Sequence, residues 1–397
     1  MNQDAPSIAQ ILIAPSRLLV EGSVGPLSIG ILSSSGEVFW GDCLSNHILA
    51  EQLPTVERLV DLVLSRSRDQ HLSSFRALWD SIRSIFPDSG RVQVADEVAA
   101  AVQQALLTAV SSVQHCTVVE LLSSEYGRPD LNTDCYDCPA ILEISDYTAT
   151  AERIDRMIAL RPAGIGYRLT NNRVAESLGE NAEYLERFVA ELSQRVGHLN
   201  EDASHRPTLY LGLNGALGQL AGDPVRYIGK VLEISVNLQV AAGVNRLVLE
   251  DPFLLDGLTE QSSNLLRLKN LIRVTPTSHG RDEPTQLVSR NRFLDREAVA
   301  TYANIQPVHA MMYELTAMGD IDALMASLAE LGEAHIDSFI RIDGQATPRW
   351  VKSAVDIAMA SRSTGLIVDF TNGAEFLYHQ VIRQMSETTA LLRQASQ

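Results

Sequence analysis

Residues 208–252 begin with the run TLYLGLN, end with the run RLVLEDP and hold a helical pattern between the two. Both quoted runs are apolar until their last residues, which is typical of strands buried on both faces. Segment 223–242 places apolar residues three and four positions apart, so it predicts a helix. A strand, a helix and a second strand in this order predict parallel strands joined by a right-handed crossover.

The same alternation runs through the second part of the chain, residues 138–397. Further strands are predicted at CPAILEI (138–144), GIGYRLT (164–170), FIRID (339–343) and GLIVDF (365–370), and helices at 148–160, 179–196, 257–269, 348–363 and 372–393. Repeated strand and helix over about 250 residues are typical of a TIM-like (β/α)8 barrel. A doubly wound open sheet is the alternative, but no Gly-rich phosphate loop follows any of these predicted strands.

The first part, residues 1–137, has a different organisation. Leu27–Leu32 and Val38–Trp40 flank turn residues as in a β-hairpin, and helical patterns follow at 51–66, 72–85 and 95–126. This order predicts an α+β domain in front of the barrel. Within the barrel part, residues 271–307 lack clear periodicity, so we predict an insertion that forms a loop, with a lid over the site as one role for it.

Composition excludes several classes of function. The formal net charge of -17 and the pI near 4.9 argue against a nucleic-acid partner, whose phosphates the chain would repel. The longest apolar runs are shorter than a membrane span, and the amino terminus does not resemble a signal peptide. The expectation is a cytoplasmic protein with no membrane partner.

Cysteine and lysine narrow the chemistry further. The motif CYDC at 135–138 has no second pair to complete a zinc set, so we interpret the cysteines as thiols of a reducing compartment. The three lysines, Lys230, Lys269 and Lys352, all lie inside helical patterns, where lysine points to water. A lysine base or Schiff base is therefore not expected.

In a (β/α)8 barrel the active site lies at the carboxyl ends of the strands. The residues where the apolar runs turn polar are Glu143, Tyr167, Arg168, Asn214, Glu250, Asp251, Arg341, Asp343 and Asp369. Alternate residues of a strand share a face, so Arg341 and Asp343 are predicted to pair. A loop residue or a structural salt bridge is the alternative reading for each of them, but as a set they predict one ionisable mouth.

Several motifs resemble those of methylaspartate ammonia-lyases, a family of the enolase superfamily. They are GEVFWGDCLS (36–45), TNNRVAESLG (170–179), LYLGLNGALG (209–218) and VLEDP (248–252), and they follow the order and spacing of that family. The resemblance implies an enolase-superfamily fold with an N-terminal capping domain, and a homodimer. It also implies proton removal beside a carboxylate, with Mg2+ held by three acids at successive strand ends and a lysine base after the sixth strand.

The family's functional positions are changed in this chain. Gly212 stands at the first metal-ligand position and Glu250 at the second, and the third is placed at Tyr313 or Met312. The remaining family positions, for the lysine, the histidine and three glutamines, are placed at Asp343, Tyr167, Arg341, Glu143 and His47. A hard cation needs several oxygen ligands, so we predict that the chain uses no metal and no other cofactor.

The residues leave three hypotheses. In the first, the chain is a metal-independent lyase or related proton-transfer enzyme for a small amino-acid-like or dicarboxylate-like substrate. Arg168 or Arg341 would bind the substrate's anionic group, Asp343 or Glu143 would be the base, and Tyr167 or Tyr313 the acid. His47, Glu250, Asn214 and Asp369 are predicted to line the substrate site.

The second hypothesis is a non-catalytic scaffold that binds a ligand or a protein, because fold alone does not certify an activity. A mouth with several ionisable groups of shifted pKa favours the enzyme, and a collapsed or apolar mouth favours the scaffold. The third hypothesis is the family's own reaction, with a rebuilt metal site that uses Glu250, Asp251 and Glu314. We rank it last, because adjacent strand residues point to opposite faces.

Overall fold

The N-terminal part of the protein is a three-stranded antiparallel sheet covered by helices. The computed structural model describes residues 6–15, 27–43, 48, 50–86, 93–127, 138–145, 149–170, 178–199, 207–275, 285–291, 296–315, 320–344, 346–370 and 375–395. Strands β1 (Ile8–Pro15), β2 (Leu27–Ser33) and β3 (Val38–Asp42) lie side by side in chain order. The turn between β2 and β3 contains Gly36 at a φ of 91°, a conformation that glycine adopts at little cost.

Four α-helices accompany this sheet, and the first and third of them pack directly against it. They are α1 (Leu53–Ser67), α2 (Phe75–Ile82), α3 (Gln93–Val113) and α4 (Val118–Glu125), and short 3-10 turns lie at Ala50–Gln52 and Arg83–Ile85. α3 is buried over most of its length because its apolar residues cover more than one face. Thr117 and Glu120 form a capping box that starts α4 about 99° away from α3.

Residues beyond 138 form a closed barrel of eight parallel strands. These are β4 (Ala140–Ser145), β5 (Gly164–Arg168), β6 (Thr208–Gly212), β7 (Leu247–Glu250), β8 (Gln286–Arg290), β9 (Ala310–Glu314), β10 (Asp337–Ile342) and β11 (Gly365–Asp369). Each strand pairs with the next one in the chain, and β11 pairs with β4 to close the barrel. The predicted fold class is confirmed: a TIM-like barrel preceded by an α+β part.

Helices surround the barrel between the strands. They are α5 (Ala151–Ala159), α6 (Glu183–Leu199), α7 (Ala216–Ala221), α8 (Ile228–Ala241), α9 (Leu258–Val274), α10 (Arg296–Ile305), α11 (Ile321–Glu333), α12 (Pro348–Ser361) and α13 (Glu375–Ala395). Among the described residues, no single helix is long and apolar enough to cross a membrane, although the bent pair α3 and α4 passes that test jointly.

The segment predicted as a loop insertion, residues 271–307, has a different structure. It contains the end of α9, the fifth barrel strand β8 and helix α10. The prediction of a structureless insertion was wrong, because β8 is five residues long and carries only two large apolar side chains, Leu287 and Val288. The sixth barrel strand, β9, was also not predicted as a strand, so six of the eight were identified.

The two parts of the chain meet near the carboxyl end of β10. Asp42, at the end of β3, accepts hydrogen bonds from Thr347 Oγ1 (2.8 Å) and Arg349 Nη1 (2.6 Å). Its carbonyl oxygen accepts one from Trp350 Nε1 (2.8 Å), and the side chain of Gln104 donates to Ser353 Oγ (2.8 Å). These buried and partly buried contacts hold the N-terminal sheet beside the start of α12, next to the mouth of the barrel.

Candidate active site

The interior of the barrel changes from apolar to charged along the strands. A buried apolar cluster fills the lower interior: Ile141, Tyr210, Val248, Val288, Ala310, Met312, Phe339 and Ile367. Successive strand residues alternate between faces, so the residue two positions after the last cluster residue of each strand also points inward. With Arg168 from β5, these inward residues form what we call the charged layer: Glu143, Arg168, Gly212, Glu250, Arg290, Glu314, Arg341 and Asp369.

One side of this layer, which we call the closed side, consists of Glu143, Arg168 and Glu250. Arg168 donates from Nε to Glu143 Oε2 (2.9 Å), and from Nη1 and Nη2 to the two oxygens of Glu250 (2.8 and 2.9 Å). Arg168 Nη2 also lies 2.9 Å from Glu143 Oε1, and the hydroxyl of Tyr210 donates to Glu250 (2.6 Å). Exposed fractions are 8% for the Arg168 side chain and 1% for each carboxylate, so water is almost excluded.

The other side, which we call the open side, consists of Arg290, Glu314, Arg341 and Asp369. Arg341 Nη1 donates to Glu314 Oε1 (3.0 Å) and its Nη2 lies 3.6 Å from Asp369, while Arg290 pairs with the second oxygen of Glu314. Side-chain exposure rises from 13% at Arg341 to 33% at Arg290. Arg341 also donates to Glu143 (2.8 Å), so the two sides form one alternating chain of acids and arginines.

Two glycines leave room for this chain of ion pairs. A Cβ added to Gly212 would lie 3.2 Å from Cζ and 3.3 Å from Cγ of Arg168, whose side chain passes over this residue to reach Glu250. A Cβ on Gly166 would lie 3.0 Å from Cβ of Glu143. The second and third barrel strands, β5 and β6, therefore have glycines at the positions that the side chains of Glu143 and Arg168 cover.

Electrostatics hold the closed side ionised. Burial alone would raise the pKa of Glu143, but the charges of Arg168 and Arg341 outweigh it and lower that pKa to about 2. Burial opposes the charge of Arg168, yet its two carboxylate partners raise its pKa well above the ordinary value. The pKa of the Tyr210 hydroxyl is also raised, by burial and then by Glu250.

The residues at the mouth do not fit a divalent metal ion. Gly212 offers no ligand, both oxygens of Glu250 accept hydrogen bonds from Arg168, and the next strand along ends in Arg290. No group of three or more His, Cys, Asp or Glu residues that could hold a metal is found in the described part of the chain. Asp251, proposed as a rebuilt ligand, points away from the interior and accepts hydrogen bonds from Ser289 Oγ and the Arg290 amide.

Five predicted site residues come together in the charged layer: Glu143, Arg168, Glu250, Arg341 and Asp369. Asn214 follows β6 at a positive φ of 48°, and half-buried Asp343 follows β10. The hydrogen bonds described for Arg341 go to acids of other strands rather than to Asp343. His47 lies outside the described residues.

The two tyrosines predicted as acids do not belong to this layer. Tyr167 points outward from β5, where its ring packs 4.4 Å from the ring of Phe188 on α6. Tyr313 is outward and fully buried, with its hydroxyl beside Asn291 and its pKa raised by burial. Both tyrosines are adjacent to an inward-facing residue of their strand, and adjacent strand residues point to opposite faces, so neither is part of the charged layer.

The order of the barrel strands also contradicts two of the positions that the family resemblance assigned. Tyr313 or Met312 was placed at the third metal-ligand position, but both lie on the sixth barrel strand, and the fifth ends at Arg290. Asp343 was placed at the lysine position after the sixth strand, but it follows the seventh, and the sixth ends at Glu314. Arg290 and Tyr210 were missed, although QLVSRN (286–291) does turn polar at Arg290.

The family model described as methylaspartate ammonia-lyase C-terminus matches residues 134–394. The curated methylaspartate ammonia-lyase of Citrobacter amalonaticus is 22% identical over 247 residues, which cover 60% of this chain. The match spans 56% of that relative's own length.

Solved structures extend the likeness over the whole fold. A variant of the methylaspartate ammonia lyase of Clostridium tetanomorphum superposes with a TM-score of 0.83 at 17% identity, covering 98% of this chain and 99% of that one. The Mg complex of β-methylaspartase from the same organism gives a TM-score of 0.80 at 16% identity, covering 98% and 100%. At such identities the likeness shows the fold and leaves the chemistry to the residues.

Proposed function

This chain belongs to the methylaspartate ammonia-lyase family, and we propose that it is a lyase-type enzyme that moves a proton at a carbon beside a carboxylate or carbonyl. Its substrate is a small amino-acid-like or dicarboxylate-like anion, and the reaction proceeds without a divalent cation. The observation that carries the proposal is the open side of the charged layer, where two arginines and two acids meet at a partly exposed mouth.

Arg341 and Arg290 are the groups that bind the substrate's carboxylate. A guanidinium presents five N–H donors in a fixed fork. Arg341 directs its Nε at Glu143 and its Nη1 at Glu314, so the remaining N–H donors of its two Nη atoms can bind a carboxylate. Both have Glu314 as a partner, which holds the two guanidiniums close to each other at the mouth. Arg168, predicted as an alternative anchor, has its donors directed at Glu143 and Glu250 inside the barrel and does not reach the mouth.

The same arginines stabilise the intermediate. Removing a proton beside a carboxylate places additional negative charge on its oxygens, and preorganised donors in a site of low polarity stabilise that charge strongly. Arg341 is 13% exposed and is held by Glu143 and Glu314, so little reorganisation accompanies the reaction. This is the electrostatic role that a bound cation has in related chemistry.

Glu314 is the base that we favour. It ends the sixth barrel strand, the position that the family resemblance gives to its lysine, and its carboxylate contacts both anchoring arginines. Asp343, after the seventh strand, is the second candidate. Glu143 does not suit this role, because it is buried beneath Arg341 and its pKa of about 2 makes it a weak base at neutral pH.

Hydrogen–deuterium exchange tests the proposal directly. The purified protein is incubated in D2O with a panel of small amino acids and dicarboxylates, and loss of the C–H signal beside each carboxylate is followed by proton NMR. We expect exchange or elimination on a member of the panel, unchanged by EDTA. Glu314→Gln should lower its rate by about 10²–10⁴-fold, as for loss of a general base, and Asp343→Asn by less than about tenfold.

The matched control is Glu152→Gln, which removes an exposed acid of α5 and should leave the rate unchanged. If Asp343→Asn abolishes exchange while Glu314→Gln does not, Asp343 is the base. If EDTA abolishes exchange and Mg2+ restores it, the metal-independent mechanism is wrong. If no panel member exchanges or binds by calorimetry, the non-catalytic scaffold replaces the enzyme.

We also propose that the protein is a homodimer located in the cytoplasm. Light scattering tests the oligomeric state, and cell fractionation tests the location.

A further inference from the structure

Arg168 and Gly212 form a matched pair on neighbouring barrel strands. The side chain of Arg168 leaves β5, crosses the Cα of Gly212 on β6 and reaches Glu250 on β7. A Cβ on Gly212 would lie 3.2–3.4 Å from Arg168, so a larger residue at this position would require the arginine side chain to shift. Gly212 on β6 offers no metal ligand, and the space that it leaves is the space through which the Arg168 side chain passes.

The guanidinium is surrounded as a bound cation would be. Four carboxylate oxygens, two from Glu143 and two from Glu250, lie 2.8–2.9 Å from its nitrogens. Arg341 Nε also donates to Glu143 Oε2, so both oxygens of each of these two carboxylates lie within 2.9 Å of a guanidinium nitrogen. A divalent cation on these carboxylates would have to displace the Arg168 guanidinium or enter beside its positive charge, and the second case is strongly unfavourable at low polarity.

We infer that Arg168 is an internal cation that occupies the metal-binding region of the barrel and excludes divalent ions from it. Through Glu143 it also positions Arg341, because Glu143 bridges the two guanidiniums. Arg168 is therefore a positioning residue, and the two changes Arg168→Ala and Gly212→Asp together should convert the closed side into a three-carboxylate metal site. Only the statement about Arg341 rests on the proposed function, and metal exclusion does not depend on any activity.

Metal binding provides the test, with Mn2+ and Tb3+ as probes and no substrate present. Equilibrium dialysis measures Mn2+ stoichiometry, and Tb3+ luminescence reports proximity to an aromatic ring, for which Tyr210 is placed against Glu250. We expect no saturable site in the wild type. The double variant should bind one Mn2+ per chain with a dissociation constant on the order of 10⁻⁴ M, as in weak oxygen-ligand sites, and Mn2+ should raise its unfolding midpoint.

The control for loss of an arginine is Arg156→Ala, which removes an exposed ion pair and should gain no site. If the double variant folds only with Mn2+ present, the inference is supported, because metal binding then supplies folding free energy. A folded double variant without a site contradicts it. If that variant never folds, the wild type decides: a stoichiometric Mn2+ site that is lost in Glu250→Gln overturns the inference, and no such site upholds it.

Discussion

The closed and open sides of the charged layer are built from the same residue types, arginine and carboxylate, at equivalent ends of parallel strands. On the closed side the side chains of Glu143, Arg168 and Glu250 are at most 8% exposed, and the donors of Arg168 point at carboxylate oxygens. On the open side the exposed fraction of the side chain is 33% at Arg290 and 14% at Glu314. Burial, rather than residue type, separates the closed side from the side that we propose binds the substrate.

The energetic consequences of this difference are large. Removing one member of a buried ion cluster leaves an uncompensated charge away from water, whereas an exposed pair contributes little to stability. Stability should therefore depend mainly on the closed side and ligand binding on the open side. The following four predictions test that division.

Arg168→Met should have the largest effect on stability. It leaves the buried carboxylates of Glu143 and Glu250 facing each other without the shared guanidinium, so we expect a loss of about 3–5 kcal/mol in the free energy of unfolding. Arg156→Met, in an exposed pair of α5, should cost less than about 1 kcal/mol. Urea denaturation followed by circular dichroism measures both. Equal effects of the two variants would contradict the role given to the closed side.

Low pH should reduce the free energy of unfolding, because Glu143 becomes protonated. Its folded-state pKa of about 2 lies below the ordinary 4.5, so the stabilisation is fully present above pH 4.5 and is lost as pH falls toward 2. From this shift we expect a contribution of up to about 3 kcal/mol. The difference in unfolding free energy between wild type and Glu143→Gln should narrow over that pH range. The difference for Glu152→Gln, at the surface, should remain constant, and a constant difference for Glu143→Gln would argue against its ion pairs.

Gly212→Ala tests whether the empty space on β6 is required. The new methyl group would lie 3.2–3.4 Å from the Arg168 side chain, so we expect a loss of about 1–2 kcal/mol from overpacking. Gly197→Ala, in an exposed position of α6 with no atom within 4 Å of the added Cβ, should instead stabilise by about 0.5–1 kcal/mol. Thermal unfolding gives the sign of each change. A stabilised Gly212→Ala variant would show that Arg168 does not depend on this glycine.

Tyr167→Phe should have the smallest effect. The ring packs outward on Phe188 and this contact survives the change, so we expect a loss below about 1 kcal/mol in stability and no change in exchange rate. If Tyr167 is the catalytic acid instead, the rate should fall by about 10²-fold or more. The deuterium-exchange assay decides between these outcomes.

Much of this architecture follows from local patterns. Six of the eight barrel strands are visible as apolar runs that turn polar, and five of the charged-layer residues are identified by that change alone. β8 and β9 are harder to identify, because QLVSR is short and AMMYE contains neither a β-branched residue nor a flanking turn signal. Missing these strands displaced the strand count, and with it the assignments of Tyr313 and Asp343.

The sequence by itself determines the barrel class and the collection of ionisable residues at the strand ends, because both follow from the period and extent of apolar runs. Only the tertiary structure decides that Arg168 points inward while Tyr167 points outward, and that Glu314 pairs with both Arg290 and Arg341. The physical reason is barrel closure, since strand register sets which face of each strand is interior, and a shift of one residue exchanges the two faces.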